Sequence, residues 1–366
     1  MRLLYVTDAL AIRGGLERVL TDKTNWLSEE AGYEIHILTA NQGNHPIAYP
    51  LASHIIHKDI DIQFYYQYQY SGVKRLLVNR LLRKMFRNRL RNELVSFSPD
   101  VIVCMRLDYL TDIISVKGNI PLIFESHSSK IGYRFDESGL IRKWQIECWQ
   151  RDVRNAQIIV ALTQGDAYEW KSLTPNVGVI PNIVHLNDTG RFSDCTQKRV
   201  IFVGRLVEQK GLPDLVKIWR IVNQRYPDWR LDVYGDGKME SMPEIKIFVH
   251  PPIKHIMDEY ITSSMLLMTS VYEPFGLVLP EAMSCGLPVV AFNCPYGPAD
   301  IITDGVDGFL IKERSIDEFV QRVDQLICSY DLRLQMGQAG ILSSQRYQAS
   351  RIMPQWKELF ESLIRS

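Results

Sequence analysis

Arg199-Val200-Ile201-Phe202-Val203-Gly204-Arg205-Leu206-Val207-Glu208-Gln209-Lys210-Gly211 decides how this chain is read. A short apolar run closed by a glycine, with a polar and basic loop beyond it, has the form of a buried strand feeding a loop at a sheet edge. The same form stands at the beginning of the chain. Leu3 to Thr7 is followed by Asp8 and Gly14-Gly15, after which Leu16, Val19, Leu20 and Leu27 recur at helical spacing. Two starts of strand, glycine loop and helix predict two α/β series in tandem. Between them, Glu34 to Thr39, Val101 to Cys104, Leu122 to Glu125 and Gln157 to Leu162 read as strands, separated by helical stretches such as 141–153. After the second start come Leu231 to Tyr234, Ile247 to Val249, Met265 to Met268 and Pro288 to Ala291. Short apolar strands alternating with helices imply parallel sheets covered on both faces. The fold class is therefore α/β with two Rossmann-like domains, and the site is expected in the cleft where strand C-termini face each other.

The boundaries follow from composition. Val179-Ile180-Pro181-Asn182 ends an N-terminal domain of residues 1–184, and the polar stretch 185–198, carrying Asn187, Asp188, Gly190, Ser193 and Asp194, reads as a linker. The C-terminal domain spans 199–348. Residues 349–366 form a helical tail with Trp356, Leu359, Phe360 and Leu363 on one side, expected to pack back on the first domain.

With 366 residues, 46% of them hydrophobic and 23% charged, the chain is globular and large enough for two cores. Lys plus Arg and Asp plus Glu are both 42, so no global field points to a nucleic acid, and any anion site must be local. The six cysteines include no C-x-x-C pair, which speaks against a zinc knuckle and for a reducing compartment. The apolar run before Asp8 is too short for a secretory signal, and no stretch approaches the ~20 apolar residues of a membrane span. A cytoplasmic protein is expected, peripheral at most to the inner face of the membrane.

The densest motif is Glu273-Pro274-Phe275-Gly276-Leu277-Val278-Leu279-Pro280-Glu281-Ala282-Met283-Ser284-Cys285-Gly286-Leu287-Pro288-Val289-Val290-Ala291. Two glutamates eight apart flank a Phe-Gly-Leu turn that opens a helix, and Gly286 and Pro288 close it. Free N–H groups at such a turn suit a phosphate, and a carboxylate on each side suits sugar hydroxyls. The plainer reading makes the glutamates helix caps facing solvent. In the opening stretch, Gly204 frees the strand end, and Arg205 and Lys210 bring two positive charges, enough to balance a diphosphate. Gly14 and Gly15, followed by Glu17-Arg18, let backbone approach a ligand at a helix start. His127 follows a strand within Glu125-Ser126-His127-Ser128-Ser129; His36 and His250 have no comparable setting. Asp59-Ile60-Asp61 has the spacing of a metal motif but reads as surface.

The run from Glu273 to Ala291 resembles the E-x7-E signature of family 4 of the retaining glycosyltransferases, whose fold is GT-B, two Rossmann-like domains facing each other across a cleft. The resemblance covers nearly the whole chain and is dense in its second half. It implies that Glu273 holds hydroxyls of the transferred sugar, that Glu281 holds the ribose, and that the amides of Phe275, Gly276 and Leu277 approach sugar and phosphate. Arg205 and Lys210 would bind the donor's phosphates, Gly14-Gly15 would lie near donor phosphate and acceptor, and His127 would contact the donor sugar. Pro181-Asn182 resembles the family's turn into the hinge, and Gly235-Asp236-Gly237 shapes the nucleotide pocket. No metal or cofactor is required; the substrates would be a nucleotide diphosphate sugar and a glycan or lipid-linked acceptor. Attack from the face of the departing phosphate would retain configuration. Phe248-Val249-His250-Pro251-Pro252 departs from the glycine usual after that strand, which leaves the donor base open, while Cys294 to Ile302 resembles bacterial surface-polysaccharide transferases and suggests a UDP-hexose or UDP-N-acetylhexosamine. A sugar-nucleotide epimerase of the same architecture and a non-catalytic nucleotide-sugar-binding protein remain alternatives; a Rossmann oxidoreductase does not fit, since no G-x-G-x-x-G follows the first strand.

One further segment stands apart. Residues 73–95 place Arg80, Arg83, Lys84, Arg87 and Arg91 on one helical arc and Leu77, Val78, Leu81, Leu82 and Met85 on another, below the aromatic cluster Phe64-Tyr65-Tyr66-Gln67-Tyr68-Gln69-Tyr70. Such a helix either docks on an anionic bilayer or a lipid diphosphate, or packs its apolar side on the first domain and leaves its basic side wet.

Overall fold

The computed structural model describes residues 1–133 and 140–365. The chain divides into two compact units, Met1–Ile183 together with Ala349–Ser366, and Val184–Gln348. Each is built on one parallel sheet.

The first unit holds β1 (Arg2–Thr7), β2 (Glu34–Thr39), β3 (Ile56–Asp59), β4 (Val101–Cys104), β5 (Leu122–Ser126), β6 (Ile158–Ala161) and β7 (Val177–Val179). Their order is β3-β2-β1-β4-β5-β6-β7, with Tyr5 level with Ile37 on β2 and Val103 on β4. Successive side chains of a strand point to opposite faces. Leu4 and Val6 join a core with Phe86, Phe124 and Trp170, whereas Leu3 and Tyr5 join a core on the other side. That second core is covered by Leu20 and Leu27 of α1 (Gly15–Glu29) and by Trp356 and Phe360 of the C-terminal helix Ala349–Arg365.

The second unit holds β8 (Arg199–Val203), β9 (Arg230–Tyr234), β10 (Ile247–His250), β11 (Met265–Met268), β12 (Val289–Phe292) and β13 (Gly308–Ile311), in the order β10-β9-β8-β11-β12-β13. Counted from its own first strand this is 3-2-1-4-5-6, the Rossmann order, which puts the loops after β8 and β11 side by side at the point where the order reverses. Helices Leu212–Arg225 and Ile316–Cys328 close one face through Trp219 and Phe319. Residues 185–198 contain no helix or strand and lie within this unit: Ser193 N–H donates to Cys285 O at 2.8 Å, and Arg333 Nε donates to Cys195 O at 3.1 Å.

Residues 73–95 lie in α2 (Gly72–Phe97), but its faces differ from the sequence reading. Leu82, Phe86, Leu90, Leu94 and Phe97 are buried, while Val73, Leu76, Leu77 and Leu81 are 58–72% exposed. Arg83 and Arg87, expected on the wet side, turn inward to Asp112, with Nη1 atoms 2.6 and 2.7 Å from its two carboxylate oxygens. Asp112 is 1% exposed, and a carboxylate so far from water requires cationic partners. That demand turns Arg83 and Arg87 toward the domain, while Arg80, Lys84 and Arg91 stay exposed as expected, and the apolar residues of the first turns stand clear of the core.

Candidate functional site

Where β8 ends, Gly204 N–H donates to Tyr234 O at 3.0 Å and Leu206 N–H to Asp236 O at 2.7 Å, so the two loops stay paired past their strands. Gly235 is required there, because a Cβ would fall 1.8 Å from Gly204 O. Lys210 folds back over Gly204, its Cδ and Cε at 3.5–3.6 Å from where a Cβ would be, and its Nζ forms an ion pair with Glu273 Oε2. Ser270 Oγ donates to the same oxygen at 3.1 Å. Thr269 Oγ1 donates to Lys210 O at 2.9 Å and Val271 N–H to Gln209 O at 2.8 Å, which lock the β8 loop against the β11 loop.

Glu273 is 7% exposed, and its backbone is clamped: its N–H donates to Pro295 O, and its carbonyl accepts from the N–H groups of Tyr296 and Gly297. A Cβ on Gly297 would lie 1.8 Å from Phe275 O, so only glycine allows this approach. Phe275 is buried with its ring edge-on to Tyr347 at 5.4 Å. Gly276 turns through φ +96°, a left-handed conformation natural to glycine, and Leu277 then enters helix Val278–Ser284. Among the described residues, the N–H groups of Phe275, Gly276 and Leu277 donate to no protein acceptor. Glu281 is also 7% exposed and accepts from Tyr260 Oη at 3.4 Å. Neither glutamate faces solvent. Burial, reinforced by the Glu273 carboxylate, pushes the Cys294 thiol up to about 12 and keeps it inert.

Lys210, Glu273, Gly204 and Gly276 thus meet at one place. Arg205 is exposed and enters no ion pair among the described residues. Arg314, which no motif marks, holds this region from behind: it donates to Ser270 O at 2.7 Å and Thr269 O at 3.0 Å, pairs with Asp214, and lies 4.5 Å over the Phe292 ring. A second cluster was equally hidden. His250, dismissed from sequence, has Nε2 2.8 Å from Asp232 Oδ1 and stacks on Tyr234 at 4.6 Å. Arg199 Nε donates to the other oxygen of Asp232 at 2.5 Å, and its Nη2 reaches Tyr234 Oη at 2.9 Å and Glu259 Oε2 at 2.5 Å. The signal would have been a charged residue beginning a strand and a charge inside the next one, which buried parallel strands admit only in pairs.

Gly14, Gly15 and His127 belong to the first unit. Gly14 is the N-cap of α1 with φ −110°, ordinary for any residue; its lack of a Cβ leaves room for Glu17 Oε2, which would sit 2.5 Å from one. His127 follows β5, its Nε2 3.0 Å from Glu125 Oε1 but off the line of a hydrogen bond. Glu125 is 1% exposed and ion-paired to Lys23, itself 1% exposed. Burial alone would raise the Glu125 carboxyl, but the charges of Lys23 and His127 outweigh it and hold it at about 2. Asp59, taken from sequence as surface, is half-buried and engaged with Thr39 and the Gly43 N–H. Among the described residues no three His, Cys, Asp or Glu gather as metal ligands, and no helix is long and apolar enough to cross a membrane.

Residues 188–342 match the family model described as glycosyl transferases group 1, and residues 13–188 match glycosyltransferase family 4, so the two run without a gap from 13 to 342. The chain is 35% identical over 239 residues to the amylovoran biosynthesis glycosyltransferase AmsD of Erwinia amylovora, covering 61% of this chain and 66% of that one, just under two thirds of its length. It is 28% identical over 359 residues to an uncharacterized glycosyltransferase of Haemophilus influenzae, covering 94% and 95%. Among solved structures, S. aureus TarM in complex with fondaparinux, α-GlcNAc-glycerol and UDP superposes with a TM-score of 0.77 at 14% identity, over 98% of this chain and 99% of that one. At that identity the likeness concerns the fold.

Proposed function

Because the chain belongs to the group 1 glycosyltransferases and has their GT-B fold, we propose that it moves a hexose or N-acetylhexosamine from a UDP-linked donor to a glycan acceptor in polysaccharide synthesis, with retention of configuration. The observation that carries this reading is the buried Lys210–Glu273 pair, formed by two loops at the reversal point of the second sheet. An ammonium beside a carboxylate, with unpaired N–H groups on the Phe275-Gly276-Leu277 turn, offers cationic and neutral donors to a diphosphate and an acceptor to sugar hydroxyls. The relatives point the same way: AmsD is a transferase of amylovoran biosynthesis, and TarM was crystallised with UDP.

In the proposed reaction the bond between the anomeric carbon and the phosphate oxygen breaks, and the electron pair leaves with the diphosphate. Lys210, Arg205 and the Gly276 turn stabilise that growing charge, with Gly204 leaving room for the Lys210 side chain. Glu273 holds sugar hydroxyls and Glu281 the ribose. The departing phosphate oxygen takes the acceptor's proton as the new glycosidic bond forms on the same face. In this reading no metal or cofactor takes part, the positive charge for the diphosphate coming from Lys210, Arg205 and the N–H groups of the Gly276 turn.

Screening UDP-, GDP- and ADP-sugars for hydrolysis and thermal shift identifies the donor. With that donor, Glu273→Ala and Lys210→Ala each lower turnover at least ~100-fold while circular dichroism stays native. Near wild-type turnover in both variants would remove the assignment. We also propose that α2 carries the enzyme to an anionic membrane face, where a lipid-linked acceptor would be met.

A further inference from the structure

The second unit carries a groove of about 800 Å3 that shares no residue with the Lys210–Glu273 site and lies within the ~300–1,000 Å3 usual for small-molecule sites. One wall is the outer side of helix Leu212–Arg225. Leu215, Ile218, Trp219 and Val222 of that helix are fully buried in the core of the unit. The residues between them form two neighbouring rows at a spacing of four, Leu212-Val216-Arg220 and Pro213-Lys217-Ile221, and all six line the groove. The other wall is the loop 238–242, which contributes Lys238, Met239, Glu240 and Met242. Ile316, the first residue of helix Ile316–Cys328, completes the lining.

Both walls are fixed. Gly237, at φ +138°, passes so close to Leu206 that a Cβ would fall 2.5 Å from its carbonyl oxygen. Met242 exchanges two backbone hydrogen bonds with Ile247, at 2.9 and 3.1 Å, and Trp219 Nε1 donates to Ile245 O at 2.8 Å, which ties the loop segment to the helix.

The apolar floor is recessed. Leu212, Val216, Ile221, Met239, Met242 and Ile316 are all half-buried and packed on the core, unlike the exposed stripe of α2. A bilayer meets side chains that stand out from a surface, whereas a floor sunk between two walls admits a single chain. The two methionines, unbranched and polarisable, adapt to such a chain. Around the floor stand the exposed cations Lys217, Arg220 and Lys238, against one carboxylate, Glu240. Arg220 and Lys238 enter no ion pair among the described residues, and Lys217 Nζ lies 3.9 Å from Asp214 Oδ1, a carboxylate already paired with Arg314. A free phosphate would gain nothing from the floor, and a cationic amphiphile would be repelled at the rim. We infer that this groove binds a free fatty-acid anion, its alkyl chain along the floor and its carboxylate among Lys217, Arg220 and Lys238, whose own stems cover the chain.

The full chain is isotopically labelled at its methionine methyl groups, the Met239 and Met242 signals are assigned with Met239→Leu and Met242→Leu, and octanoate, decanoate and dodecanoate are titrated as monomers to about 5 mM. Both signals shift saturably, and affinity rises about fourfold for every two carbons added, as half-burial of two methylene groups implies. Decyltrimethylammonium binds at least ~5-fold more weakly than decanoate, and Arg220→Gln/Lys238→Gln weakens decanoate about fivefold while the dependence on chain length persists. Silence of both signals, no gain with chain length, or equal binding of the cationic amphiphile overturns the inference. A bilayer as occupant is tested with Leu77→Asp/Leu81→Asp, which removes the α2 stripe. That variant stays in the supernatant of phosphatidylserine vesicles; sedimentation that Arg220→Gln/Lys238→Gln then abolishes would give the groove to a membrane surface and overturn the inference as well. None of these readouts uses donor turnover, so the outcome stands apart from the transfer reaction proposed above.

Discussion

Lys23 lies fully within the protein, its Nζ paired with Glu125 and placed 4.2 Å from the Trp356 ring centroid and 5.3 Å from that of Tyr5. Burial lowers its affinity for the proton, yet the Glu125 charge opposes that loss. Removing one member strands the other, so Lys23→Met should cost about 3–5 kcal/mol in urea unfolding, and Lys23→Met with Glu125→Leu should recover much of it. Two carboxyls of this region act in opposite pH windows. Glu125 sits at about 2 against an ordinary 4.5, so its contribution is present above pH 4.5 and is lost as pH falls toward 2. Burial raises Asp166 to about 6 from 3.8, so the stability it confers is complete below 3.8 and lost as pH rises through 6, by roughly 2–3 kcal/mol. Asp166→Asn should flatten the fall in stability between pH 4 and 7, whatever its absolute effect; an unchanged slope would assign that fall elsewhere. From sequence, Glu273 and Lys210 stood out through dense motifs, whereas Lys23 sat among Asp22, Thr24 and Asn25 like any solvent-facing helix residue. Its partner is 102 residues away, and spacing along a chain holds no trace of such a pair.

Strands were legible wherever both faces are covered, because Val101 to Cys104 or Met265 to Met268 can then be apolar throughout. β3, β7 and β13 are the strands the reading lacked, and all three lie at sheet edges. Ile56-His57-Lys58-Asp59 alternates exposed and half-buried positions, β7 has only three residues, and β13 begins with Gly308. β3 and β7 bury less and so carry a weaker pattern, whereas β13 is mostly buried but opens on a glycine. α2 misled for a different reason: helical spacing gave its arcs, but the buried Asp112 decided which arc faces inward. Val73, Leu76, Leu77 and Leu81, with Lys74, Arg75, Arg80 and Lys84 close by, form an apolar stripe in a basic surround. Binding to vesicles with 30% phosphatidylserine, on the order of a common anionic fraction, should fall at least tenfold in Leu77→Asp/Leu81→Asp and weaken with salt, while donor hydrolysis stays intact. Equal sedimentation of variant and parent would leave the stripe without a membrane role.

At the scale of the molecule, the two units have separate cores, and the first is closed by a helix from the far end of the chain. Trp356 and Phe360 are buried at 2% and 0% exposure, and a large aromatic lost from a core costs about 3–5 kcal/mol. Deleting residues 349–366 should therefore unfold the first unit and leave the second, which ends at Gln348, resistant to protease. A single transition shared by both units in the deleted chain would contradict this separation. The order of the polypeptide gives that closing helix a temporal meaning as well. During translation the ribosome releases β1 to β7, then the whole of the second unit, and only afterwards the residues that seat against Tyr5 and Leu27. At roughly 5–20 residues per second, the open seat waits on the order of 10–30 s. The nascent N-terminal half thus keeps an apolar seat open until that helix emerges, and a chain stopped before Trp356 would leave the first unit unfinished beside a complete second one.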